Sequence, residues 1–206
     1  MIALKSVSIP ILVMAVLLSA CSPAAPPKTE APPSVSVSPA PTSEPEPSGE
    51  AERPKTRSFE LMTNEVSQKM EAVLLQGNGF SLYVFEKFSF DAASGRLSLT
   101  SHPEYKVDIE PLPAGYDLAQ LEATGKKELS KAGKVSDYSG ELVEHPLRFA
   151  KLYLQASGEN GITDFMVWTS EAGDAFLFRL HNPKGEEASE FAGPVLVSLS
   201  TILSDK

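Results

Sequence analysis

The chain of 206 residues has one cysteine, one tryptophan and three histidines. The single cysteine, Cys21, leaves no partner for an intramolecular disulfide, so any folded domain must be held by packing alone. The histidines are His102, His145 and His181. No two of them stand four residues apart, the helical spacing that places two imidazoles on one metal ion. The glycine-any-serine-any-glycine elbow that exposes a hydrolase serine does not occur, and Gly77-Asn78-Gly79 leads into a strand pattern, not the helix that a phosphate loop needs. A basic excess is missing as well. Lys and Arg number 18 against 27 Asp and Glu, a net charge of −9, so no nucleic-acid partner is expected. No residue is assigned a catalytic, cofactor-binding or metal-binding role.

What the chain does have begins at its N-terminus. Lys5 precedes Val7 to Leu18, a run that is almost wholly apolar apart from Ser8 and Pro10. This is shorter than the roughly 20 apolar residues of a spanning helix and fits the core of a secretory signal. Leu18-Ser19-Ala20-Cys21 follows it. These four residues resemble the lipobox of bacterial lipoproteins. The resemblance implies diacylglycerol on the Cys21 sulfur and cleavage before it, with residues 1–20 as signal peptide. It also implies that Cys21 is the lipid-attachment site and that the protein is held on the extracytoplasmic side of a bacterial membrane.

Residues 21–56 read as the lipidated cysteine and a disordered tether. Ten of the 35 residues from 22 to 56 are proline, none is aromatic, and Val35 and Val37 are the only large aliphatics. Such a stretch cannot bury enough apolar surface to offset the entropy of ordering. Its prolines bias it to polyproline II, with an extended reach on the order of 110 Å at ~3.1 Å per residue.

Residues 57–206 form a single domain of ordinary size. They carry 14 Lys and Arg against 22 Asp and Glu, an acidic surface that anionic lipid repels, which leaves membrane contact to Cys21. Strand patterns occur at Phe80–Phe85, Arg96–Thr100 and Lys106–Glu110. Asn160-Gly161 separates Leu147–Gln155 from Ile162–Thr169, the residue pair of a tight hairpin. With Ala175–Leu180 this predicts a three-stranded antiparallel meander, and Ser136–Val143 precedes it as a fourth strand. Several of these strands are apolar on both faces, so both faces should be covered. Helices are expected over Asp117–Ala132, where Gly125 weakens the pattern, and over Glu186–Ser204, where Pro194 either kinks the helix or occupies its first turn. Residues 58–76 read as a β-hairpin turning near Thr63 to Glu65, although Phe59, Met62, Val66 and Met70 would also fit a helical stripe.

The expected fold is therefore α+β, a mainly antiparallel sheet with helices on both faces, an α/β/α sandwich. Its element order and its aromatic strand Phe80-Ser-Leu-Tyr-Val-Phe85 resemble the PsbP/Mog1 type of domain. That resemblance implies an accessory or binding role and transfers no functional residue. The leading expectation is a non-enzymatic, membrane-anchored module that binds a protein or a cell-envelope component. The alternative is an envelope-associated hydrolase with a dispersed site drawn from residues such as His145, Glu144 and Asp164. Trp168 reads as a core residue, with a groove formed with Tyr153, Phe165 and Tyr138 as the competing reading. Glu186 and Glu187 read as helix-start acids that favour the helix dipole.

Overall fold

The computed structural model describes residues 53–63, 66–141 and 146–205. The expected signal and tether up to residue 52 with Cys21, residues 64 and 65 of the expected turn, residues 142 and 143 of the expected fourth strand, and Glu144 and His145 all lie outside the described residues.

The chain enters through β1 (Thr56–Thr63) and β2 (Val66–Gln76). They pair antiparallel from Thr56↔Val73 to Thr63↔Val66, so the hairpin reading of this stretch holds and its helical alternative does not. Gly79, at φ 83, turns the chain into β3 (Phe80–Phe85). Every residue of β3 is buried, as expected of a strand covered on both faces. β4 (Phe88–Asp91), β5 (Arg96–Leu99) and β6 (Lys106–Pro111) follow as a meander, then α1 (Leu118–Leu129) and β7 (Lys134–Asp137). β8 (Leu152–Gly158), β9 (Gly161–Thr169) and β10 (Ala175–Pro183) form a second meander. The chain closes with α2 (Ala188–Ser200) and β11 (Leu203–Ser204).

The described strands build two antiparallel sheets. One has four strands in the order β1-β2-β3-β11, the other seven in the order β4-β5-β6-β10-β9-β8-β7. This overturns the expected α/β/α sandwich: among the described residues there are two helices, and the fold is mostly strand. The reason lies in the cover of the larger sheet. One face takes α1, through Leu129, Leu152, Leu154, Phe165, Val167 and Leu177. The other face buries Met166, Trp168, Phe176, Phe178 and Leu180 in one continuous core. That core includes Leu82 and Phe85 of β3 and Leu61 of β1, together with Phe191, Val195 and Leu199 of α2. Phe80 lies edge-on to Phe176, with ring centroids 6.0 Å apart. A second sheet therefore shares with α2 the role that the sandwich reading gave to helices. Each large aromatic in such a core buries on the order of 150–250 Å², which makes this interface the dominant stabilising term.

Helix α1 starts at Asp117, whose carboxylate accepts from the Gln120 amide at 3.0 Å and so caps the first turn. Gly125 is buried in this helix. A Cβ there would stand 2.7 Å from Phe165 Cδ1, so the glycine that weakens the helix pattern is what lets the helix approach the sheet. Gly125→Ala should therefore lower stability by ~1–3 kcal/mol, although alanine is the better helix former by ~1 kcal/mol. Urea unfolding checks it: a midpoint raised above wild type would show that the close approach is not limiting. Pro194 is buried inside α2 and so lies beyond its first turn. The predicted end of α2 at Ser204 is too late, because the helix stops at Ser200 and Leu203–Ser204 pair with Ser81 and Phe80 of β3.

Candidate functional site

The strand alternation that buries Leu152, Leu154 and Ala156 against α1 turns Tyr153 and Gln155 to the other face of the sheet. There a cavity of about 480 Å³ opens between the sheet and α2. Its floor is Tyr153 and Gln155 of β8, Asp164 and Met166 of β9, and Leu180 and Asn182 of β10. Ala192 and Leu196 of α2 form a wall, and Tyr138, Glu141, Leu147 and Ile162 complete the lining. The size and the mixture of apolar walls with a few polar groups are those of small-molecule sites, which hold ~300–1,000 Å³.

The polar groups converge because the sheet register puts them side by side. Gln155 is the cross-strand partner of Asp164, and Asp164 is the partner of Leu180 on the other side. Gln155 Nε2 donates to Asp164 Oδ1 at 2.9 Å and to the Tyr153 hydroxyl at 2.9 Å. The Tyr153 hydroxyl in turn hydrogen-bonds the Asp164 carboxyl. Asp164 is only 7% exposed. Burial pushes its pKa up to about 6, and the Gln155 and Tyr153 hydrogen bonds, which favour the anion, offset only part of that. Asn182 Oδ1 is buried and has no hydrogen-bond partner among the described residues. An acceptor left this way costs on the order of 1–3 kcal/mol unless a ligand or water donor reaches it. Among the described lining residues there is no Lys, Arg or His.

The residues singled out by the sequence are distributed as follows. Asp164 lies at the centre of the cavity. Tyr138 and Tyr153 line it together, ring centroids 5.5 Å apart. Phe165 belongs to the opposite face beneath α1, and Trp168 is buried and stacked on Phe178 at 6.3 Å, so the four-aromatic groove does not form. His102 is a surface residue beside Glu104 at 3.3 Å and Glu187 at 3.9 Å. His181 Nδ1 lies 3.2 Å from Thr163 Oγ1, and burial, aided by the Lys106 charge, lowers its pKa. Glu187 is the cap residue of α2 but makes no side-chain capping bond. Among the described residues no three His, Cys, Asp or Glu side chains gather as a metal site, and no helix is long and apolar enough to cross a membrane.

Gln155 and Asn182 were not singled out by sequence reasoning. Gln155 was within reach: pairing Gly158 with Gly161 across the hairpin sets Gln155 opposite Asp164. Asn182 sits beyond the expected end of its strand at Leu180, and nothing in its neighbourhood distinguishes it from a loop asparagine.

No curated protein matches the sequence. A family model, described as a domain of unknown function (DUF8580), matches residues 53–203, which takes in every strand and helix from β1 to the start of β11. The chain belongs to this family, the domain of unknown function DUF8580.

Proposed function

We propose that the protein is an extracytoplasmic lipoprotein, anchored by lipid on Cys21, whose domain is a non-enzymatic binding module for a cell-envelope component. The cavity between the seven-stranded sheet and α2 is its binding site. The observation that carries this reading is the orphaned Asn182 Oδ1 on the same cavity as the buried Asp164 carboxyl, two acceptors on a floor shared with Met166 and Leu180, with the Glu141 carboxylate also on the lining. With acceptors on its floor and no Lys, Arg or His among its described lining residues, the cavity favours a ligand that donates: a hydroxyl or an ammonium group on an apolar or aromatic body. Tyr138 and Tyr153 supply ring faces that favour both an apolar body and a cation.

Benzylamine, benzyl alcohol and benzoate separate the possibilities, since they share one ring and differ only in head group. At pH 7.5, NMR titration should show benzylamine and benzyl alcohol perturbing Met166 and Leu196, with benzoate at least tenfold weaker. Leu196→Trp, which fills the cavity from the α2 side, should abolish both shifts while leaving the fold intact by circular dichroism. Benzoate binding as well as benzylamine, or shifts that survive Leu196→Trp, would refute the site.

A second reading rests on the Asp164 carboxyl at about 6, a value at which a carboxyl can give and take a proton near neutral pH. Glu141 contributes a further carboxylate to the same cavity. This favours an envelope hydrolase with Asp164 as its acid or base.

A further inference from the structure

A second cavity, of about 520 Å³, has the opposite chemistry. Arg53, Arg57 and Arg148 line it, together with Phe59, Trp168 and Thr169. In a chain of net charge −9, three guanidinium groups on one cavity are a concentration of charge against the trend of the whole surface. Among the described residues none of the three is ion-paired with a carboxylate. Glu171 also lines the cavity, a single carboxylate against the three arginines, and among the described residues it is in no ion pair.

The three arginines are not equivalent. Arg53 is built in: its guanidinium donates to Ser81 Oγ at 2.9 Å and the Thr201 carbonyl at 2.7 Å, and lies 4.8 Å from the centre of the Tyr83 ring. Burial holds Arg53 below its ordinary pKa; Tyr83 and the Asp205 carboxylate offset part of that, and the Arg57 charge adds to it. Arg57 lies over the Phe59 ring at 5.0 Å, and both Arg57 and Arg148 are exposed. Thr169 Oγ1 is buried and has no hydrogen-bond partner among the described residues, leaving a hydroxyl donor unused in a residue that lines the same cavity.

We infer that this cavity binds the phosphate group of a small soluble phosphate ester. Arg57 and Arg148 are the free clamps, and Arg53 is the fixed positive charge behind them. Guanidinium forks match phosphate oxygens two at a time, which makes arginine the residue suited to this ligand. A phosphate on a lipid headgroup offers the same chemistry. The acidic surface of the domain, repelled by an anionic bilayer, favours the soluble source.

The test uses the unlipidated Cys21→Ser protein and titration calorimetry with glycerol 3-phosphate and inorganic phosphate at low salt. Both should bind, with affinity falling as salt rises. The double variant Arg57→Gln/Arg148→Gln should lose at least tenfold in affinity, while Lys134→Gln, an exposed lysine outside the cavity, should match the parent. Equal binding by the double variant and the parent, or no binding of either phosphate by the parent, would overturn the site. Flotation with phosphatidylglycerol vesicles separates the sources: binding to vesicles, lost in the double variant, with no measurable glycerol 3-phosphate binding, would overturn the soluble assignment.

Discussion

Asp164→Asn should unfold at a higher temperature than wild type at pH 8, and the two should converge below about pH 4. The carboxyl has a folded pKa of about 6 against an ordinary 3.8. The folded protein therefore holds the Asp164 proton more tightly than the unfolded chain. Its stabilising contribution is complete below the unfolded value and is lost as pH rises through the folded one. A shift of this size corresponds to about 3 kcal/mol, or on the order of 5–10 °C for a domain of this length. Asparagine keeps the shape and can still bond Gln155 and Tyr153, yet never ionises, so the cost disappears. Melting curves from pH 3.5 to 8 check the slope: parallel curves for the two proteins would mean that Asp164 titrates normally. The same variant distinguishes the two functional readings. A binding site should keep benzyl alcohol affinity within a few-fold. A hydrolase should lose its turnover on chromogenic esters and glycosides by ~100-fold or more.

Cys21→Ser should move the protein from the membrane fraction to the soluble fraction almost completely. Each buried acyl methylene contributes about 0.8 kcal/mol, a single chain holds a protein only marginally, and two chains hold it firmly. No described helix offers an alternative span, and the domain is acidic. Carbonate-washed membranes from cells expressing each form give the readout. Full retention of the serine variant would show that contact comes from the domain or from an uncleaved signal segment.

Much of the fold was legible because local signals and tertiary pairing agreed. Phe80–Phe85 was readable to the residue, since Gly77-Asn78-Gly79 and the charged Glu86-Lys87 bound an unbroken apolar run. The β8–β9–β10 meander followed from its two glycine turns, and Asp117 marked the start of α1. The layer arrangement was not legible. Strand patterns show that a face is covered but not by what, and the β1–β2 hairpin covers the face on which only a helix was expected. β4 escaped because Phe88–Asp91 is four residues long and follows β3 after only two. β11 was hidden because Ile202 and Leu203 also continue the spacing of α2.

The candidate site divides the same way. Asp164 stands out as an acid inside an apolar strand, and its Gln155 neighbour follows from hairpin register. Asn182 joins them only because β10 runs on to Pro183, past the last apolar residue of its pattern. The arginine cavity gathers Arg53, Arg57 and Arg148 from segments nearly a hundred residues apart, a proximity no local pattern carries.

Amide hydrogen exchange on the lipidated, full-length protein, compared between isolated envelopes and the purified state, tests the binding site where it is meant to work. The account predicts slower exchange in the envelope at the lining of the Asp164 cavity, in β8 around Gln155, in β9 around Asp164 and in α2 from Ala192 to Leu196. Unchanged exchange there, with new protection confined to α1 from Leu118 to Leu129, would place the partner on the other face of the sheet and contradict it.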